Sequence, residues 1–184
     1  MQYNECFTKI VYTNDEIVKK INELAVDINS YYRSLENEEI LVIGVLEGSL
    51  VFCGHILPKM DFNLVFKTVK VSVYGSKTFA RKEDLIFETH FDPKLVKGKK
   101  VLILEDLLDT GMTLGILKDK LFELGATDIK ICVLFKKLLK NQEQIFCDWV
   151  GLTIPNEWVA GFGIDSRNKY RNYKHLGIVK IEKR

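Results

Sequence analysis

Ile17, Ile21, Leu24, Ala25 and Ile28 recur at helical spacing, so residues 14–32 are predicted to form an amphipathic helix that Thr13 or Asn14 can cap. The pattern then changes from a period near 3.6 to continuous or alternating apolar runs. Residues 39–46 are predicted as a strand, broken by Glu47-Gly48-Ser49. Residues 50–60 follow as a short helix that ends in or just before the Pro58 region. Residues 64–74 alternate as a long strand, and residues 85–91 form another extended piece. Between them, the polar stretch 75–84, with Gly, Ser, Lys and Arg, is expected to be a mobile loop. A Lys97-Gly98-Lys99-Lys100 turn leads into a buried strand at Val101. A helix over residues 114–124 is closed by Gly125, and another buried strand spans residues 129–135. Short strands are expected over residues 149–154 and 158–163, around a Pro155-Asn156 turn. Lys180 opens a solvated tail. Strands alternate with helices through the middle of the chain, which argues for an α/β fold with a largely parallel sheet.

Composition narrows the picture only slightly. The 184 residues, 47% of them hydrophobic and 28% charged, suit one globular domain. A formal net charge of +2 gives no bulk electrostatic basis for a nucleic-acid partner. Cys6, Cys53, Cys132 and Cys147 include no C-x-x-C pair, so buried reduced thiols are expected rather than zinc or disulfides. Free thiols and the lack of a signal-like start point to the cytoplasm. No apolar run is long enough for a transmembrane helix. His55, His90 and His175 form no ligand cluster, and no G-x-S-x-G elbow is present.

The chemistry concentrates after Val101. Four apolar residues run into Glu105 and Asp106, then into Asp109-Thr110-Gly111-Met112-Thr113 and a helical pattern. Acids at a strand end can accept hydrogen bonds from sugar hydroxyls. A Gly-containing turn at a helix start offers N–H groups and hydroxyls to a phosphate. Neither G-x-x-x-x-G-K-[ST] nor a strand-borne G-x-G-x-x-G occurs.

This run, from Glu105 to Thr113, resembles the 5-phosphoribosyl 1-pyrophosphate (PRPP) binding motif of type I phosphoribosyltransferases. Gly44-Val45-Leu46-Glu47-Gly48-Ser49 is similar to the pyrophosphate loop of the hypoxanthine-guanine phosphoribosyltransferases of purine salvage. Val73-Tyr74-Gly75-Ser76 sits where their flexible loop begins, and Leu134-Phe135-Lys136 resembles the strand end that carries their purine-reading lysine. The segment running from Val150 through Trp158, Val159 and Gly163 to Asp165, with the Tyr170-Arg171 pair, resembles their purine and metal region.

The resemblance implies a fold with a mainly parallel central sheet flanked by helices. Its core lies at about residues 35–145, and a small hood forms from about residues 1–15 and 146–184. It implies transfer of phosphoribosyl from PRPP to N9 of hypoxanthine or guanine, giving IMP or GMP and pyrophosphate. The cofactor implied is Mg²⁺, at Asp165, Glu105 and Asp106, and the assembly implied is a homodimer or homotetramer. By the same resemblance Glu105 and Asp106 bind ribose, and Asp109 is the general base. Asp109, Thr110, Gly111, Met112 and Thr113 hold the 5′-phosphate; Glu47, Gly48 and Arg171 face pyrophosphate; Tyr74 covers the reacting centre.

The residue chemistry agrees with these roles. Trp158 offers a flat face for stacking on a base whose edge the Val159 backbone would read. Lys136 can donate to a 6-oxo group, with neighbouring Lys137 leaving the register open. Arg171 can grip phosphate oxygens, and Asp165 can hold a hard cation. Two departures stand out: the loop commonly carries Lys where this chain has Glu47, and a serine commonly precedes Tyr74 where this chain has Val73. A regulator that keeps the fold but binds RNA, and a transferase for xanthine or a pyrimidine, are the alternative readings.

Overall fold

A computed structural model of the chain describes residues 6–35, 38–73, 85–89, 91–139 and 145–180. Helix α1 (Asn14–Arg33) follows the predicted periodicity, burying Ile17, Ile21, Leu24, Ala25 and Ile28 on one face. Thr13, rather than Asn14, is its N-cap. The Thr13 hydroxyl accepts from the Glu16 N–H while the Glu16 carboxylate accepts from the Thr13 N–H at 2.8 Å, a reciprocal cap. A strand precedes it, β1 (Phe7–Tyr12), in which only Phe7 is fully buried.

Strand β2 (Ile40–Leu46) is buried almost throughout. It leads into α2 (Leu50–Ile56), which tightens to a 3-10 turn at Leu57–Lys59, where Pro58 interrupts it. Strands β3 (Leu64–Val73), β4 (Leu85–Thr89) and β5 (Lys100–Leu108) come next. Helix α3 (Met112–Glu123), β6 (Asp128–Lys137), β7 (Trp149–Ile154), β8 (Val159–Ala160) and β9 (Leu176–Val179) complete the order.

Two sheets result. The larger runs β4-β3-β2-β5-β6-β7, parallel except for the antiparallel edge strand β4. The smaller is an antiparallel β1-β9-β8 arrangement that joins the two ends of the described chain. Its residues Val159 and Leu176 share a core cluster with α1, α2 and one face of the large sheet. The other face packs against α3 through Leu114, Leu117 and Leu121. Cys53 and Cys132 are buried in the first cluster, and all four cysteines are free thiols. Burial pushes the Cys53 thiol up to about 11 and that of Cys132 well above its ordinary value. Among the described residues, no helix is long and apolar enough to cross a membrane.

The chain leaves β2 toward β3 on one side and returns to β5 on the other, so β2 and β5 are adjacent with crossovers diverging. A crevice outside the carboxyl ends of such strands is where open α/β sheets bind ligands.

A shared irregularity crosses the sheet there. Glu105 pairs with Val133 and Val133 with Val150; pairing resumes at Leu107, Phe135 and Leu152, skipping Asp106, Leu134 and Gly151. Leu102 and Leu104 face the α1 side and Ile103 the α3 side, yet Leu107 faces α1 and Leu108 faces α3. The same inversion separates Leu134 and Phe135, which are consecutive but lie in one cluster. All three strands therefore change facing together, a coordinated break in two-residue alternation.

Candidate active site

The carboxyl ends of β2 and β5 bound a cleft of ≈ 540 Å³. Its floor is the acidic pair. Strand β5 does not stop at Leu104, as the acids suggested, but continues to Leu108 because β6 stays paired with it. Glu105 and Asp106 are thus strand residues, each 8% exposed. Burial and the neighbouring Asp106 charge hold the Glu105 carboxyl well above the usual carboxylate range. Burial raises Asp106 as well, opposed by its hydrogen bond with Glu105 and by the Arg171 charge.

One wall is the turn after β5. Gly111 adopts φ +83° and caps α3, and a Cβ there would lie 2.9 Å from Ile145 Cγ2. Only glycine meets both demands without strain. The turn delivers Thr110 and Thr113 to the cleft beside the first N–H groups of α3, the geometry of an anion site. Asp109 lies at the start of this wall, and Lys137 Nζ donates to its Oδ2 at 2.8 Å.

The opposite wall is the loop after β2. The Leu46–Glu47 peptide is cis. Gly48 lies so close to Asp106 that a Cβ would overlap the carboxylate. Glu47 is bracketed by two cations: its Oε1 is 3.4 Å from Lys70 Nζ and its Oε2 is 3.4 Å from Arg171 Nη2. Arg171 is also held by Asp165 Oδ1 at 2.9 Å and donates from Nη1 to the Gly163 carbonyl at 2.8 Å. Asp165 Oδ2 accepts from the Asn168 N–H at 2.8 Å.

Residues 8–167 match the family model described as the phosphoribosyl transferase domain. The chain belongs to this phosphoribosyltransferase family. It is 36% identical over 180 residues to the hypoxanthine-guanine phosphoribosyltransferase of Lactococcus lactis, covering 97% of this chain and 94% of that protein. It is 34% identical over 174 residues to the bifunctional protein TilS/HprT of Listeria monocytogenes, covering 95% of this chain but only 26% of that longer protein. Among solved structures, a hypoxanthine phosphoribosyltransferase from Staphylococcus aureus superposes with TM-score 0.86 at 27% identity, covering 98% of this chain and 95% of that one.

The cleft gathers Glu47, Gly48, Glu105, Asp106, Asp109, Thr110, Gly111, Thr113, Asp165 and Arg171. Met112 belongs to the same turn but is 41% exposed and does not line the cleft. Tyr74 and the loop 75–84 lie outside the described residues. Trp158 is outside the cleft lining; it is 54% exposed, and its Nε1 donates to Ser166 Oγ at 2.9 Å, which fixes the indole plane. Val159 is buried in β8 opposite Ile178.

The structure turns the two strand-end lysines to opposite faces. Lys137, not Lys136, reaches Asp109, and its side chain is 10% exposed. Simple alternation from Cys132 and Leu134 places Lys136 on the α1 face. The facing change after Leu134 instead puts Lys137 on that face, which is also the face of Val159. Lys136 falls on the other side, where its charge opposes the burial that raises the Cys147 thiol to about 11.

Glu105, Asp106 and Asp165, the carboxylates expected to hold a metal, line the same cleft. Among the described residues no three Asp, Glu, His or Cys side chains converge as ligands. Lys70 was missed by the sequence reading. It reaches the cleft because it pairs with Leu46, a register between segments more than twenty residues apart that local pattern does not specify.

Proposed function

We propose that this phosphoribosyltransferase transfers the 5-phosphoribosyl group of PRPP to N9 of hypoxanthine or guanine, giving IMP or GMP and pyrophosphate. The observation that carries this reading is the Asp109–Lys137 pair, placed between the helix-start phosphate turn and the face that bears the small sheet. The names of the relatives support the same substrates.

In this reading Thr110, Gly111, Met112 and Thr113 hold the 5′-phosphate with backbone N–H groups and hydroxyls. Glu105 and Asp106 accept hydrogen bonds from the ribose hydroxyls and stabilise positive charge developing at C1′. Lys137 donates to the 6-oxo group of the purine and holds the Asp109 carboxylate. Asp109 takes the N7 proton as N9 attacks C1′, and returns it in the reverse reaction. Adenine, with a 6-amino donor, meets a lysine that can only donate. Trp158 stacks on the ring while the Val159 backbone reads its edge. Arg171 draws charge from the leaving pyrophosphate, with Glu47 and Gly48 at the same wall.

Hard carboxylate oxygens of Glu105, Asp106 and Asp165 would hold Mg²⁺ in this cleft. Carboxylates of Glu105, Asp106 and Asp165 line one cleft, and no three of them close into a cage. When bound, the ion supplies charge neutralisation on the leaving group. The resemblance extends the reading to a homodimer or homotetramer, and the free thiols extend it to the cytoplasm.

Asp109→Asn separates binding from proton transfer. PRPP affinity is expected to stay near wild type while turnover with hypoxanthine falls about a hundredfold or more. Equal loss of both, or full turnover, removes Asp109 from the base role.

A further inference from the structure

A pyrophosphate-binding wall needs cations, yet the loop after β2 presents Glu47. The missing positive charge returns from the neighbouring strand. Lys70 sits beside Leu46 in the β2–β3 pairing and lines the cleft, so its ammonium enters the wall one residue from where the loop turns.

The three charged groups there are not equally fixed. Arg171 has two short anchors, Gly163 O at 2.8 Å and Asp165 Oδ1 at 2.9 Å, and keeps its place without Glu47. Both Glu47 contacts are 3.4 Å, long for charge-assisted hydrogen bonds, and the Lys70 and Glu47 side chains are 42% and 53% exposed. Such contacts are weak and exchange readily with solvent or a better anion. Lys70 and Arg171 meet on one carboxylate, and a polyphosphate entering the cleft offers both of them more negative charge than Glu47 does.

We infer that Lys70 is a pyrophosphate-binding cation of this site, and that Glu47 is an internal anion that occupies Lys70 and Arg171 until the substrate's pyrophosphate group displaces it. The inference rests on the phosphoribosyltransferase reading above and assigns its pyrophosphate wall. Glu47 then opposes substrate binding rather than contributing to it. Its removal and the removal of Lys70 act in opposite directions.

The test is calorimetric titration of the purified full chain and two variants with inorganic pyrophosphate, PRPP and IMP, each with Mg²⁺. Thermal melts verify that the variants fold; both side chains are about half exposed, so melting temperatures should match wild type. Lys70→Met is expected to weaken pyrophosphate and PRPP binding about fivefold or more, with IMP affinity unchanged within about twofold. Glu47→Gln is expected to tighten pyrophosphate and PRPP by about threefold. Unchanged pyrophosphate affinity in Lys70→Met, or weaker binding in Glu47→Gln, overturns the assignment while leaving the enzyme reading intact. A folded wild-type protein that binds neither PRPP nor IMP defeats the enzyme reading and the assignment with it.

Discussion

Glu105 and Asp106 set two carboxylates side by side in the floor of the cleft, and the free protein bears the cost of burying them. Because the Glu105 carboxyl is raised by burial and by Asp106, the folded state binds its proton more tightly than the unfolded chain does. The pair therefore costs nothing below the ordinary carboxylate range, and the folded state loses stability as pH rises through the raised range. Glu105→Gln is expected to melt several degrees higher than wild type at pH 8 in EDTA, with the difference vanishing below about pH 4. Equal melting temperatures at pH 8 would contradict the buried-pair account. Lys137 is the second residue-level claim. Lys137→Met should raise the KM for hypoxanthine at least tenfold, about the cost of a lost charged hydrogen bond, whereas Lys136→Met should change it little. The reverse ranking would restore the simple alternation. The sequence showed a dibasic strand end, but it could not show which lysine turns toward Asp109: that depends on a facing change shared by β5, β6 and β7, each strand's break visible only beside its neighbours.

The elements that local pattern encodes strongly are those the sequence made legible. Helix α1 carries a full apolar stripe and a capping box, and β2, β5 and β6 carry apolar runs. Strands β1 and β9 escaped because β1 is mostly exposed, β9 has four residues, and each exists through pairing with a partner at the other end of the chain. The end of β5 was read short because two acids are poor strand residues, and the pairing with β6 overrides that preference. At the start of α3, Gly111 meets a backbone demand and a packing demand together. Gly111→Ala should lose about 1–3 kcal/mol of stability from the strained φ alone, seen as a lower melting temperature. It should also weaken IMP more than free hypoxanthine, because only IMP carries the 5′-phosphate. Undiminished IMP affinity in a folded variant would remove this turn from phosphate binding.

Across the whole molecule, the candidate site residues come from both sheets and the segments beside them. The large sheet supplies the acids, Asp109, Lys137 and the turn into α3; the segment between β8 and β9 supplies Asp165 and Arg171, and Trp158 precedes β8. The family was legible from linear sequence because the motif that carries the resemblance is contiguous, from Glu105 to Thr113. The opposite wall was less legible because Glu47, Lys70, Asp165 and Arg171 meet only through tertiary contacts. Trp158, exposed and oriented by Ser166, should matter for base rather than phosphoribosyl binding. Trp158→Ala is expected to raise the KM for hypoxanthine about tenfold with little change for PRPP, and equal effects on both would argue against stacking. The most direct measurement of the central claim is a nucleotide-formation assay on the purified protein with PRPP, Mg²⁺ and, in turn, hypoxanthine, guanine, xanthine, adenine and uracil. The account predicts IMP from hypoxanthine or GMP from guanine, each with an equivalent of pyrophosphate, and no product from adenine or uracil. Product from none of the five bases, or from adenine in preference to the 6-oxopurines, would contradict it.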